Sequence, residues 1–194
     1  MKNTKQIILA SSSPRRRQLL TQVGLKFKVA KSNYEEDMSQ KMKPAQMVKT
    51  FSLGKARDVA QRYKNAIIVG SDTIVVYNNK KLGKPKSPAE AKKMLKMLSN
   101  KAHTVLTGIT VINSKTGKTI TDYEATKVYF KKLTPSEINN YVKSGEPLDK
   151  AGSYGIQELG ATIIKKIDGD YFTVVGLPLV KLTKILKKFG IKVL

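Results

Sequence analysis

The order of apolar and polar positions along the chain marks alternating strand-like and helix-like segments. The run Ile7-Ile8-Leu9-Ala10 predicts a first strand, and a helix follows from Pro14 with Leu19, Leu20 and Val23 as its apolar stripe and Gly24 as its stop. Lys26 to Ala30 alternates as a strand. Pro44 to Tyr63 reads as a long helix with the stripe Val48, Phe51, Ala56, Val59 and Tyr63. Ala66 to Tyr77 is nearly continuous in apolar residues, which predicts a central strand covered on both faces. Asn78-Asn79 turns the chain into a short loop, Leu82-Gly83-Lys84-Pro85, and a helix spans Pro88 to Leu98. Ala102 to Asn113 and Thr119 to Lys131 are two long strands joined by a hairpin loop. Thr134 to Ser144 is a further helix, closed by Gly145. A glycine-punctuated loop then runs to Gln157, and a segment of this kind in a compact domain is a binding loop or disordered. Ala161 to Ile167 is a strand, Asp168-Gly169 a hairpin-type turn signal, and Gly176-Leu177-Pro178 opens the last helix, with stripe Leu179, Leu182, Leu186 and Phe189.

Three of these helices begin with a hydroxyl cap followed by proline: Ser13-Pro14, Ser87-Pro88 and Thr134-Pro135. The second and third place Glu90 and Glu137 at the third helical position, the arrangement of a capping box. The first places Arg16 there, flanked by Arg15 and Arg17, at a terminus where the helix dipole is already positive. Strand, serine turn and arginine-laden helix start together suit a phosphate cradle. The alternative is a helix start with exposed arginines.

Length and composition narrow the picture. The 194 residues suffice for one domain with a real core, residues 1–194, in one lobe or two. No cysteine is present, so a metal would have to use oxygen ligands or the single histidine, His103. The apolar runs are far shorter than a membrane span and the N-terminus has no secretory pattern, so a soluble, cytoplasmic protein is expected. The net charge of +23 invites a nucleic-acid reading, yet only five of the 37 basic residues are arginine and the lysines are dispersed. Salt-sensitive binding to polyanions without base readout is the expectation.

Against this basic background the 14 carboxylates are informative. Asp72 stands within the most apolar strand, between Ser71 and Thr73, where an unpaired carboxylate is costly. It therefore needs a cation, a hydrogen-bond network or a cleft, and Gly70 would let a ligand or neighbouring backbone approach. Lys55 falls in the middle of a buried stripe and must snorkel or meet an anion; Gly54 beside it suggests close packing or a ligand. Glu35-Glu36-Asp37 is either an oxygen-ligand site for a divalent cation or an exposed acidic loop. Lys84, held between Gly83 and Pro85, is a stiff station for a phosphate contact. His103 has no neighbouring carboxylate or second histidine and reads as structural or hydrogen-bonding.

With these pieces placed, the sequence resembles the Maf family of nucleoside triphosphate pyrophosphatases. The likeness is carried by Ser11-Ser12-Ser13-Pro14-Arg15-Arg16, Ser71-Asp72-Thr73, Gly83-Lys84-Pro85, the stretch Asp149 to Gln157, and Gly169-Asp170-Tyr171 with Gly176-Leu177-Pro178. It implies an α/β fold with a twisted mixed sheet flanked by helices, two lobes with a central cleft, and a homodimer. It also implies hydrolysis of a nucleoside triphosphate to the monophosphate and pyrophosphate with Mg²⁺ or Mn²⁺, a housecleaning role, and in older descriptions a link to septum formation. Residue by residue, Asp72 matches the family's proton acceptor, and Ser11, Arg16, Lys55 and Lys84 match its phosphate-binding positions. Glu35 aligns with an acidic position near the metal, where Asp72 would also serve. Arg15, Thr73 and Gln157 match the positions that distinguish subgroups, in the combination of the dTTP/UTP branch. One tension follows from strand geometry: Asp72 and Thr73 point to opposite faces unless the strand bends, so Thr73 otherwise acts through its backbone or another residue. Two rival readings are a basic nucleic-acid-binding module and a nucleotide-binding regulator without turnover. No specific nucleic acid and no membrane partner are expected.

Overall fold

The structure is a computed structural model and describes residues 5–194. Seven strands, β1 (Gln6–Ala10), β2 (Phe27–Val29), β3 (Ala66–Tyr77), β4 (Lys80–Leu82), β5 (Ala102–Asn113), β6 (Thr119–Phe130) and β7 (Ile164–Asp168), form one mixed sheet. Its order is β2-β1-β3-β5-β6-β7, with β4 paired to β3. The helices are α1 (Pro14–Gln22), α2 (Pro44–Ala60), α3 (Pro88–Leu98), α4 (Pro135–Lys143), α5 (Tyr171–Val175) and α6 (Leu179–Lys187). This is the mixed α/β architecture expected. No helix among the described residues is long and apolar enough to cross a membrane.

β1 reads as an unbroken apolar run because it lies inside the sheet, parallel to β2 on one side and to β3 on the other. Its register pairs Ala10 with Gly70, so the serine turn after β1 and the polar triplet of β3 start from neighbouring positions.

The chain divides into two compact units. The first comprises the chain to Asp72 with Thr107–Glu124 and Gly176–Leu194, and the second comprises Thr73–Leu106 and Ala125–Val175. In the first, Ile8, Ala10, Ala56, Val59, Ile68 and Ile112 share one apolar cluster. Two glycines let α2 rest on the sheet: a Cβ at Gly70 would lie 2.4 Å from the Ser52 carbonyl oxygen, and one at Gly108 would lie 2.1 Å from that of Val48. In the second unit Leu95 and Leu98 of α3, Tyr141 of α4 and Val128 and Phe130 of β6 belong to a separate core.

Several boundaries differ from the sequence reading, each for a local reason. α2 ends at Ala60, three residues before Tyr63, because Arg62 and Tyr63 donate to the carbonyls of Val59 and Ala60 and tighten the chain into a turn. Asn78 and Asn79 both take left-handed conformations, φ 46° and 60°, and return the chain as β4, whose Lys80-Lys81 carry no apolar signal. Residues 161–163 belong to a 3₁₀ segment, Glu158–Ile163, so β7 starts only at Ile164. Asp168-Gly169 is not a hairpin: Asp170 Oδ2 accepts from the Thr173 N–H and hydroxyl, both at 2.7 Å, and caps α5. The full capping box forms at Thr134 and Glu137. At α3, Ser87 caps the Glu90 N–H, but the Glu90 carboxylate accepts from the Lys86 N–H at 2.6 Å, one residue before the cap.

Candidate active site

In the first unit, the turn between β1 and α1 is built from its own serines. Ser13 caps α1 by accepting from the Arg16 N–H at 3.5 Å. The Ser11 Oγ accepts from the Ser13 N–H at 3.2 Å and from Arg16 Nη1 at 3.1 Å. Arg16 Nε donates to the Gly176 carbonyl at 2.8 Å, which also accepts from the Ser71 hydroxyl at 2.9 Å. The guanidinium is thus oriented by a serine and a carbonyl. Arg15 is half-buried beside it, and Arg17 is exposed.

Asp72 is 4 % exposed. Lys55 reaches it from α2, with Nζ 2.6 Å from Oδ1 and 2.5 Å from Glu36 Oε1. The lysine therefore neither snorkels to solvent nor waits unpaired; it joins two carboxylates. The close packing at Gly54 explains how they meet. A Cβ there would lie 2.3 Å from the Tyr34 ring, so Tyr34 packs on α2 and draws the following residues, Glu36 among them, toward Lys55. Glu36 rather than Glu35 makes this contact, and Glu35 is exposed. A one-residue choice within an acidic triplet depends on this tertiary contact, which no local spacing announces.

The electrostatics of the cluster are opposed. Burial raises the Asp72 carboxyl above its usual range, while Lys55 and Arg16 pull it back and Glu36 adds to the rise. Burial lowers the Arg16 guanidinium, with Asp72 and Glu36 working against that. Asp72 Oδ2, the oxygen that Lys55 does not bond, is buried without a hydrogen-bond partner, an unfilled acceptor. Such an atom suits a cation or a proton. Among the described residues no group of three or more His, Cys, Asp and Glu side chains converges. The donor set, Asp72 with Glu36, fits a small hard cation that takes one or two carboxylates and completes its shell from phosphates and water.

The remaining residues singled out in the sequence lie in the second unit. Lys84 is exposed in the loop after β4. Thr73 is half-buried, and β3 runs through it as a continuous strand, so its side chain takes the face opposite Asp72. Gln157 is half-buried in the loop between the short 3₁₀ turn Ala151–Ser153 and Glu158–Ile163. His103 lies within hydrogen-bonding distance of the Tyr154 hydroxyl, Nε2 at 2.7 Å, with its ring edge-on to Phe130, and burial lowers its pKa to about 4. The sequence reading passed over Tyr141 and Glu146, whose side chains tie this loop together. A glutamate inside a glycine-rich loop of a carboxylate-poor chain was the available signal.

Comparison with known proteins places the chain in a family. A family model described as Maf-like protein matches residues 6–189. A dTTP/UTP pyrophosphatase of Thermoanaerobacter sp. (strain X514) is 53% identical over 190 residues, covering 97% of this chain and 99% of its own. One from Methanosarcina barkeri is 47% identical, covering 97% and 96%, and one from Bacillus pumilus is 48% identical, covering 96% and 97%. With a buried acid, a lysine and a serine-arginine turn assembled on one unit, and a family match across almost its whole length, this chain belongs to the Maf family.

Proposed function

We propose that this protein hydrolyses dTTP and UTP between the α and β phosphates, releasing the nucleoside monophosphate and pyrophosphate. The observation that carries the reading is Asp72: a buried carboxyl beside Lys55 and Arg16 whose Oδ2 has no partner. The names of the relatives supply the substrate class.

In this reading the N-terminus of α1, Ser11, Arg16 and Lys55 bind the triphosphate and offset charge gathering on the leaving pyrophosphate. Lys84 is a further phosphate contact. Asp72 accepts the proton of the attacking water at Oδ2, a role suited to a carboxyl that burial makes more basic than usual. Mg²⁺ or Mn²⁺ fits the cluster, held by Asp72 and an acid of the 35–37 loop. Glu36 is the member of that loop whose carboxylate meets the same lysine as Asp72. When bound, such an ion supplies positive charge against the phosphates and acidifies water. Arg15, Gln157 and, through its backbone or another residue, Thr73 select the base, Gln157 through an amide that both donates and accepts. The reading extends to a cytoplasmic homodimer, which light scattering after gel filtration would test.

The functional test is product identity with UTP and dTTP in the presence of Mg²⁺ or Mn²⁺. UMP or dTMP should appear with one equivalent of pyrophosphate. Orthophosphate as the sole inorganic product would overturn the reaction class.

A further inference from the structure

The glycine-rich loop of the second unit is closed by one side chain. Glu146 follows α4 directly, after Gly145 in a left-handed turn of φ 79°. Its Oε1 accepts the Tyr141 hydroxyl at 2.9 Å and the Gly160 N–H at 3.1 Å, and its Oε2 accepts the Leu159 N–H at 3.0 Å. The Tyr141 oxygen in turn accepts the Gly155 N–H at 3.1 Å. Both ends of the segment 155–160 are therefore held by a single Tyr141–Glu146 pair, and Gln157 sits between them.

Packing makes the closure tight. A Cβ at Gly160 would lie 2.1 Å from the Gly155 carbonyl oxygen and 2.6 Å from the Tyr141 hydroxyl, so the two glycines bring backbone against backbone. A Cβ at Gly155 would lie 2.8 Å from Lys150 Cε. Lys150 is itself buried and donates from Nζ to the Glu146 carbonyl at 2.7 Å and to Asp149 Oδ1 at 3.0 Å. A loop with glycines at 155 and 160 has large conformational entropy to lose, and a charged acceptor with three donors is the kind of contact that offsets it.

We infer that Tyr141 and Glu146 are positioning residues for base selection: by closing residues 155–160 they hold the Gln157 amide at one place. This rests on the reading that Gln157 meets the base. Recognition by hydrogen bonding demands placement within about 0.5 Å, which a freely moving loop would not give. The hydrogen bonds of the clasp join Tyr141, Glu146, Gly155, Leu159 and Gly160 and involve none of Asp72, Lys55, Glu36 and Arg16. Selection and KM should therefore suffer while turnover is kept.

The test compares Tyr141→Phe, Glu146→Gln and Gln157→Ala, using kcat and KM for UTP and for GTP and thermal unfolding as a fold control. Tyr141→Phe removes one oxygen and keeps the ring in its core. Gln157→Ala and Tyr141→Phe should each lower the UTP-to-GTP ratio of kcat/KM on the order of tenfold, as one good hydrogen bond to the base is worth. Tyr141→Phe should do so through KM, with kcat for UTP held within about threefold. In the Gln157→Ala background Tyr141→Phe should cause no further loss of selection, since it acts through that amide. If Gln157→Ala lowers the ratio while Tyr141→Phe and Glu146→Gln leave it unchanged, the clasp is overturned and the base reading stands. An unchanged ratio in Gln157→Ala overturns the base reading itself, and the inference with it.

Discussion

Asp72 and Glu146 are both carboxylates in polar clusters, one in each unit, and they are satisfied in opposite ways. The two oxygens of Glu146 accept three hydrogen bonds from a hydroxyl and two backbone N–H groups. Asp72 is more deeply buried, takes a lysine on one oxygen and leaves the other without a partner. A carboxylate whose acceptors are filled by its own loop is committed to shape. One kept buried with an empty acceptor is costly to the fold and is held in place for something outside it.

The largest consequence should come from Asp72→Asn. Removing the proton acceptor should lower kcat on the order of 10³-fold. Its effect on stability has the reverse sign: a carboxyl raised above 3.8 in the fold makes stability fall as pH climbs above that value, so at neutral pH the amide should melt at the same temperature or higher. A loss of several degrees together with retained turnover would make Asp72 a structural acid like Glu146.

A third buried titratable group sharpens the contrast. His103 is held neutral by burial, with a pKa lowered from 6.5 to about 4, so the folded state binds fewer protons than the unfolded chain between those values. Stability from this group is fully present above 6.5 and is lost as pH falls to about 4, a total of roughly 3 kcal/mol. The difference in unfolding free energy between the protein and His103→Gln should shrink on acidification through this window. A difference independent of pH would show that the imidazole stays exposed to protonation in the fold.

Next in size is Glu146→Ala, which strips acceptors from two N–H groups and a tyrosine. Denaturant unfolding should show a loss of about 2 kcal/mol, where Asp72→Asn shows none. The smallest effect separates the helix starts. Thr134→Ala breaks a complete capping box and should cost about 1 kcal/mol, and Ser13→Ala, which loses a longer bond of 3.5 Å, should cost less. Equal costs would mean that Ser13 is as structural as Thr134.

Much of the fold was legible because it is written in local patterns. β3, α3 and β5 coincide with the segments read from periodicity and caps, since an apolar run or a capped amphipathic stretch carries its own signal. β4 and α5 were missed because Lys80-Lys81 carry no apolar pattern and α5 depends on the Asp170 cap rather than on a stripe. The candidate site was legible in its residue types. An aspartate in the most apolar strand and a lysine in a helical stripe are each anomalous alone, and the structure pairs them at 2.6 Å.

The sequence by itself determined which residues are out of place: Asp72, Lys55 and the arginines at the start of α1, each a charge where local physics disfavours one. Only the tertiary structure decided how each is answered. Tyr34 packing on Gly54 brings Glu36, not Glu35, to Lys55, and the clasp of Glu146 on residues 159 and 160 closes the loop that carries Gln157. Contacts between residues so far apart in the chain depend on how the elements pack, and no spacing within one element encodes them.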